Sequence, residues 1–207
     1  MTPLVETVAE VARPAGGGSV TASLFLELPL AREHVQVVSD GDGVRTACEW
    51  LRSAEAIGLD SEWRPNAMAR GQPNPVALLQ LACARRAFLF DMVALRADEA
   101  SLRALDTGLA PLMGNASVPK LGYSVRGDFE KLRTSYALRA FEDVRGVKDV
   151  GAMHAALSGA RRAPGGLAGL CKVQCQVEHE HTFVTWIAGC GAVNISGFGL
   201  IRAARPN

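Results

Sequence analysis

The chain has 207 residues, 48% of them hydrophobic, which is enough for one domain with a sizeable core plus irregular ends. Its 22 basic and 21 acidic side chains nearly cancel, so no global positive field marks a nucleic-acid partner and any such binding rests on local patches. The five cysteines (Cys48, Cys83, Cys171, Cys175 and Cys190) are odd in number and lie in apolar surroundings, which argues against a secreted disulfide scaffold. They point instead to reduced thiols in an intracellular compartment, cytoplasm or nucleus.

Residues 1–33 contain Pro14-Ala-Gly-Gly-Gly18 and no sustained period, as a flexible segment would. No basic start followed by an apolar run announces a signal peptide there. Residues 34–39 alternate as a strand does, and Asp40 or Asp42 then caps a helix carrying Val44, Cys48, Leu51 and Ala54 at helical spacing. Residues 56–63 form a short apolar strand with acids entering at its end. A loop rich in Pro and Gly follows, and residues 76–83 and 87–92 read as a hairpin around Ala84-Arg-Arg86. Helical periodicity runs through Leu102, Leu105, Leu109 and Leu112 over residues 97–113. Residues 119–125 are a strand leading directly into a helix at Gly127. A further strand (144–150) and helix start (151–157) complete the pattern.

Strands interleaved with helices in this order predict an α/β fold, a mixed sheet flanked by helices, over residues 34–173. Beyond Val173 the only charged residues are Glu178, Glu180, Arg202 and Arg205, with no clear period, so residues 174–207 read as a divergent, poorly ordered tail. Residues 182–201 carry no charge, yet their four glycines and scattered Thr, Asn and Ser make them too mildly apolar for a membrane span.

The acids carry the chemical information. Asp60 and Glu62 stand two apart on a strand, so both point to one face, at the end of the core run Ile57-Gly-Leu59. Two carboxylates there repel each other and lose hydration, a cost that a divalent cation with oxygen ligands removes. Asp128 stands in the first turn of a helix that follows a strand, where a strand end and a helix start converge. Singly, each acid has an ordinary reading: Asp128 as a helix cap or dipole partner, the Asp-x-Glu pair as a solvated loop edge. Jointly they are more specific.

Gly58-Leu-Asp-Ser-Glu-Trp63 resembles the first motif of the DEDD superfamily of 3′-5′ exonucleases, which share a ribonuclease H-like fold. Pro75-Val-Ala-Leu-Leu-Gln-Leu-Ala82 with Phe88-Leu-Phe-Asp91 is similar to the hairpin that comes next. Lys120-Leu-Gly-Tyr-Ser-Val-Arg-Gly-Asp-Phe-Glu-Lys-Leu132 resembles the second motif, with Asp128 as its acid, and Gly165-Gly-Leu-Ala-Gly-Leu-Cys171 resembles the lead-in to the third. Within the superfamily the likeness is greatest to the animal exonuclease 3′-5′ domain-containing proteins. The resemblance implies a sheet of three antiparallel strands followed by parallel ones, incomplete at its C-terminal end. It implies Asp60, Glu62 and Asp128 as catalytic metal ligands for two ions, Mg²⁺ or Mn²⁺, about 4 Å apart. The substrate would be the 3′ end of single-stranded RNA or DNA, cleaved to nucleoside 5′-monophosphates.

The third motif, a Tyr or His followed by an Asp, has no counterpart: no Asp follows Asp149 and no Tyr follows Tyr136. Weakened or absent activity is therefore expected, and the rival reading is a non-catalytic nucleic-acid-binding or protein-interaction module with a degenerate site. Trp63, Tyr123 and Arg126, with Arg64 and Arg70 nearby, are candidates to stack on bases and hold phosphates, or ordinary packing and surface residues. Cys171-x₃-Cys175-x₃-His179-x-His181 is not a usual zinc spacing and reads as accidental. His34 and His154 read as structural, and nothing bears on oligomeric state.

Overall fold

Six short, largely apolar runs pair into one sheet in the computed structural model, which describes residues 32–65, 73–159, 167 and 170. They are β1 (Val35–Val38), β2 (Ile57–Glu62), β3 (Leu78–Cys83), β4 (Arg86–Asp91), β5 (Lys120–Gly122) and β6 (Val147–Asp149). Their spatial order is β1-β4-β3-β2-β5-β6. β2, β3 and β4 form an antiparallel meander, while β5 and β6 extend it from β2 in parallel. This is the mixed, ribonuclease H-like sheet expected from the sequence. β1 adds a parallel pairing at the far side, with Val35 opposite Ala87. The hairpin closes more tightly than expected, since Arg86 pairs with Cys83 inside the ladder and only Ala84 and Arg85 turn.

Local caps set the helix boundaries. Asp40, not Asp42, caps α1 (Gly41–Arg52), its carboxylate accepting from the Gly43 amide at 2.8 Å. The helix expected over 97–113 forms as one element, Glu99–Gly114, and a short helix that was not expected precedes it. Asp91 caps α2 (Met92–Ala97), and Asp98 caps α3 (Glu99–Gly114) by accepting from the Ala100 and Ser101 amides and the Ser101 hydroxyl. That cluster of hydrogen bonds separates the two helices. α4 (Val125–Ser135) and α5 (Val150–Ser158) follow β5 and β6. Two 3₁₀ turns, Arg32–His34 and Arg139–Phe141, were not expected; the second is tied to α3 by Asp106, which accepts from the Ala140 amide at 2.9 Å.

The core gathers Leu59, Leu79, Leu81, Phe88 and Phe90 from the central strands with Val44, Leu51, Leu105 and Leu109 from the helices. α1 and α3 approach closely because Gly108 has no side chain: a Cβ there would stand 2.5 Å from the Cys48 sulfur. Cys48 and Cys83 are free and buried, and burial pushes the Cys48 thiol up to about 11. Lys120 is fully buried, its ammonium donating to the carbonyls of Asn115 (2.5 Å) and Val118 (2.9 Å), which fixes the approach to β5. Among the described residues no helix is long and apolar enough to cross a membrane. The expected N-terminal segment up to residue 31 and the tail from residue 174 lie outside the described residues.

Candidate active site

The site forms where β5 stops covering β2. Their pairing ends at Gly58 opposite Leu121, so residues 59–62 have no β5 partner. β5 is short because Ser124 adopts the left-handed conformation (φ 54°, ψ 26°) and turns the chain into α4. The turn requires glycine at 122, where a Cβ would lie 2.6 Å from the Val125 side chain and 2.8 Å from the Leu59 carbonyl oxygen. The first turn of α4 is thereby set against the bare edge of β2.

That junction brings Asp128 to the first motif. Asp128 is 8% exposed, and its Oδ1 accepts a hydrogen bond from the Ser61 hydroxyl at 2.6 Å. Asp60 is half-buried and Glu62 exposed on the alternate positions of β2. Directly across the ladder from Asp60 lies buried Gln80, whose Nε2 is 3.5 Å from Asp60 Oδ2. Burial, then the neighbouring carboxylates of Asp128 and Glu62, push Asp60 up to about 6 against the pull of the Ser61 backbone. Burial also raises Asp128, opposed by its hydrogen bonds from Ser61 and assisted by Glu62. The three acids of the two motifs therefore share one electrostatic environment. None of them belongs to an ion pair among the described residues. Uncompensated carboxylate oxygens are the donor set a hard divalent cation takes. As placed, however, no three His, Cys, Asp or Glu side chains among the described residues stand together closely enough to hold a metal ion.

The family model for 3′-5′ exonuclease matches residues 35–188, well over half of the chain. The chain belongs to the 3′-5′ exonuclease family. Members are metal-dependent hydrolases, and both acidic motifs fall inside the matched segment. The chain is 34% identical to the exonuclease mut-7 homolog of Homo sapiens over 114 residues, which are 54% of this chain and 13% of that protein. It thus spans only a small part of that relative's length. Solved exonucleases share the fold. The Nibbler EXO domain of Aedes aegypti superposes with a TM-score of 0.56 at 18% identity, over 78% of this chain and 83% of that one. RNase D of Trypanosoma brucei gives 0.58 at 21% identity, over 71% and 49%, and that enzyme is also known in complex with RNA U12.

Around the three acids the remaining candidates separate. Trp63 is 38% exposed, and the Lys131 ammonium lies 5.4 Å from its ring centroid. Arg64 and Arg126 are exposed. Tyr123 is half-buried with its ring edge against Gly151, where a Cβ would meet Tyr123 Cε2 at 2.9 Å. Asp149, the last aspartate of the chain, caps α5 through the Ala152 amide at 3.0 Å and is committed to that helix. His154 is buried. Arg70, the lead-in to the third motif apart from Leu167 and Leu170, Glu178, Glu180 and the Cys171–His181 constellation lie outside the described residues.

Three residues with a place in this site were not singled out from the sequence: Ser61, Gln80 and Lys131. Gln80 could be placed only once the β2–β3 register was known. Lys131 had a usable signal, since it follows Asp128 by three positions and so shares its helix face. The far end of α4 also steadies the site. Ser135 Oγ accepts from the Val76 amide at 3.0 Å, the Tyr136 hydroxyl donates to the Val76 carbonyl, and the adjacent Ala77 amide donates to the Glu62 carbonyl at 2.8 Å.

Proposed function

We propose that this exonuclease domain works on the 3′ end of single-stranded RNA or DNA, with Asp60, Glu62 and Asp128 holding divalent ions, Mg²⁺ or Mn²⁺, at the terminal phosphodiester. One observation carries the reading: acids from two stretches 66 residues or more apart come together at a strand edge that β5 leaves uncovered, near enough for Asp128 and Glu62 to raise Asp60. When bound, such an ion polarises the phosphoryl group and makes water a better nucleophile. The protein's own part is to align the donors. Gln80 stands beside Asp60 on the neighbouring strand, Ser61 fixes Asp128, and Trp63 and Arg126 are exposed at the surface where a strand could meet them. The RNA complex of the related fold in Trypanosoma brucei RNase D supports a single-stranded substrate.

Turnover in this chain is weak or absent, because no aspartate follows Asp149 and no tyrosine follows Tyr136 to complete the third motif. A second reading, a binding module that keeps the fold without catalysis, is favoured by two features. The Asp128 carboxylate is already occupied by Ser61, and no three-ligand cage stands among the described residues. The buried free thiols suit a reducing compartment in either case.

Digestion of a 3′-labelled single-stranded oligonucleotide with Mn²⁺, by wild type and Asp60→Asn, tests these readings. Slow, metal-dependent release of nucleoside 5′-monophosphate that Asp60→Asn abolishes is the expected result. Release that is indifferent to Asp60→Asn overturns the site assignment. Binding with no release selects the second reading.

A further inference from the structure

Lys131 and Trp63 come from the two stretches that carry the acids and meet each other. Trp63 directly follows Glu62 after the end of β2, and Lys131 stands three residues after Asp128 on α4, so the pair joins the two elements that carry the acids. The ammonium lies 5.4 Å from the indole centroid, within the range of about 6 Å for attraction to the ring face.

Two features set this contact apart from ordinary packing. Asp128 shares its helix face, yet Lys131 forms no ion pair among the described residues, and the contact its ammonium makes is with the indole. Trp63 keeps 38% of its surface exposed even with the lysine over it. A positive charge and a partly open aromatic surface, side by side, are the two elements with which proteins seat single-stranded nucleic acid: a cation for the phosphate and a ring for the base. The need is local. A phosphodiester approaching Asp60, Glu62 and Asp128 meets like charge, and an adjacent ammonium offsets it over short range.

The geometry points to Trp63 and Lys131 forming one nucleotide subsite, in which the Lys131 ammonium contacts a backbone phosphate while the Trp63 indole stacks on a base. This rests on the exonuclease reading of the neighbouring acids and deepens it by naming the groups that seat the strand. Lys131 is a positioning residue here; it moves no proton and touches no scissile bond. Stacking and phosphate contacts of this kind are indifferent to base identity, so the subsite grips without reading sequence.

The test is binding of a fluorescein-labelled oligouridylate to the full chain, followed by anisotropy without divalent ions over a series of salt concentrations. Lys131→Gln is expected to weaken binding several-fold and to reduce the slope of log affinity against log salt by about 0.7, the contribution of one phosphate contact on a single strand. Lys131→Arg is expected to keep both affinity and slope. Trp63→Leu is expected to weaken binding about tenfold with the salt slope unchanged, as loss of a stacking platform does. A Lys131→Gln protein with wild-type affinity and slope overturns the proposal, as does an unchanged Trp63→Leu or a wild type that binds no oligonucleotide. The two layers fail separately. Cleavage indifferent to Asp60→Asn, beside a flattened slope in Lys131→Gln, removes the carboxylate reading and leaves the subsite. Asp60-dependent cleavage with an unaltered slope removes the subsite alone.

Discussion

The Ser61 hydroxyl donates a 2.6 Å hydrogen bond to the Asp128 carboxylate, a buried contact between residues 67 apart in sequence. It joins the strand motif to the helix motif directly. Ser61→Ala leaves a buried carboxylate short of a donor, and hydrogen bonds to charged groups contribute about 1.5–3 kcal/mol. The expected loss of stability is of that order, read from the urea midpoint at neutral pH. A loss below about 0.5 kcal/mol would mean that solvent reaches Asp128 and that the junction does not depend on Ser61.

Asp60 gives the fold a pH dependence opposite to that of a salt-bridged aspartate. Its carboxyl is raised to about 6, while an unfolded aspartate titrates near 3.9. Between roughly pH 4 and pH 6 the folded chain therefore holds a proton that the unfolded chain has released, so stability declines as pH rises through this window. Asp128, also raised, acts in the same direction. Asp60→Asn should flatten the decline and raise the Tm at pH 7, as followed by thermal denaturation at a series of pH values. A variant with a lower Tm at pH 7 would show that the Asp60 charge is already compensated in the fold.

A divalent cation should reverse that destabilisation. An ion that binds only the folded chain stabilises it by RT ln(1 + [L]/Kd), about 1.4 kcal/mol when the ion is at ten times its Kd. The Tm of the wild type should thus rise by several degrees with Mn²⁺ near pH 7.5. Near pH 5, where Asp60 keeps its proton, the rise should largely vanish, and in Asp60→Asn it should be small at either pH. Equal shifts at both pH values, or in both proteins, would place the ion elsewhere on the chain.

Much of the site was legible because its signals are local. The two-residue spacing puts Asp60 and Glu62 on one face of a strand, and the passage from a strand into a helix near Gly127 puts Asp128 in a first turn. A cap at Asp40 or Asp42 and the β3–β4 hairpin were legible for the same reason. Long-range geometry was not. No short-range feature says that β1 docks parallel to β4, that Gln80 faces Asp60, or that Lys131 leans to Trp63 when Asp128 is as near along the helix. Nor does a serine advertise the left-handed turn at 124, where glycine or asparagine is the usual occupant.

Two glycines five residues apart separate the fold's requirements from its tolerances. At Gly122 a Cβ would press on Val125 at 2.6 Å and on the Leu59 carbonyl at 2.8 Å, and backbone on the central strand has no room to yield. Gly122→Ala should therefore push α4 off β2, at a cost of about 1–3 kcal/mol typical of overpacking, and should weaken the Mn²⁺-induced rise in Tm because Asp128 moves with the helix. Gly127 lies inside α4 with nothing within 4 Å of its would-be Cβ. Gly127→Ala should stabilise by about 0.5–1 kcal/mol through helix propensity and leave the metal response intact. Urea midpoints with and without Mn²⁺ distinguish the pair. If both alanine variants lost stability alike, the strain would lie along the helix and not at the strand junction, and the packing of Gly122 on Leu59 would no longer explain where Asp128 stands.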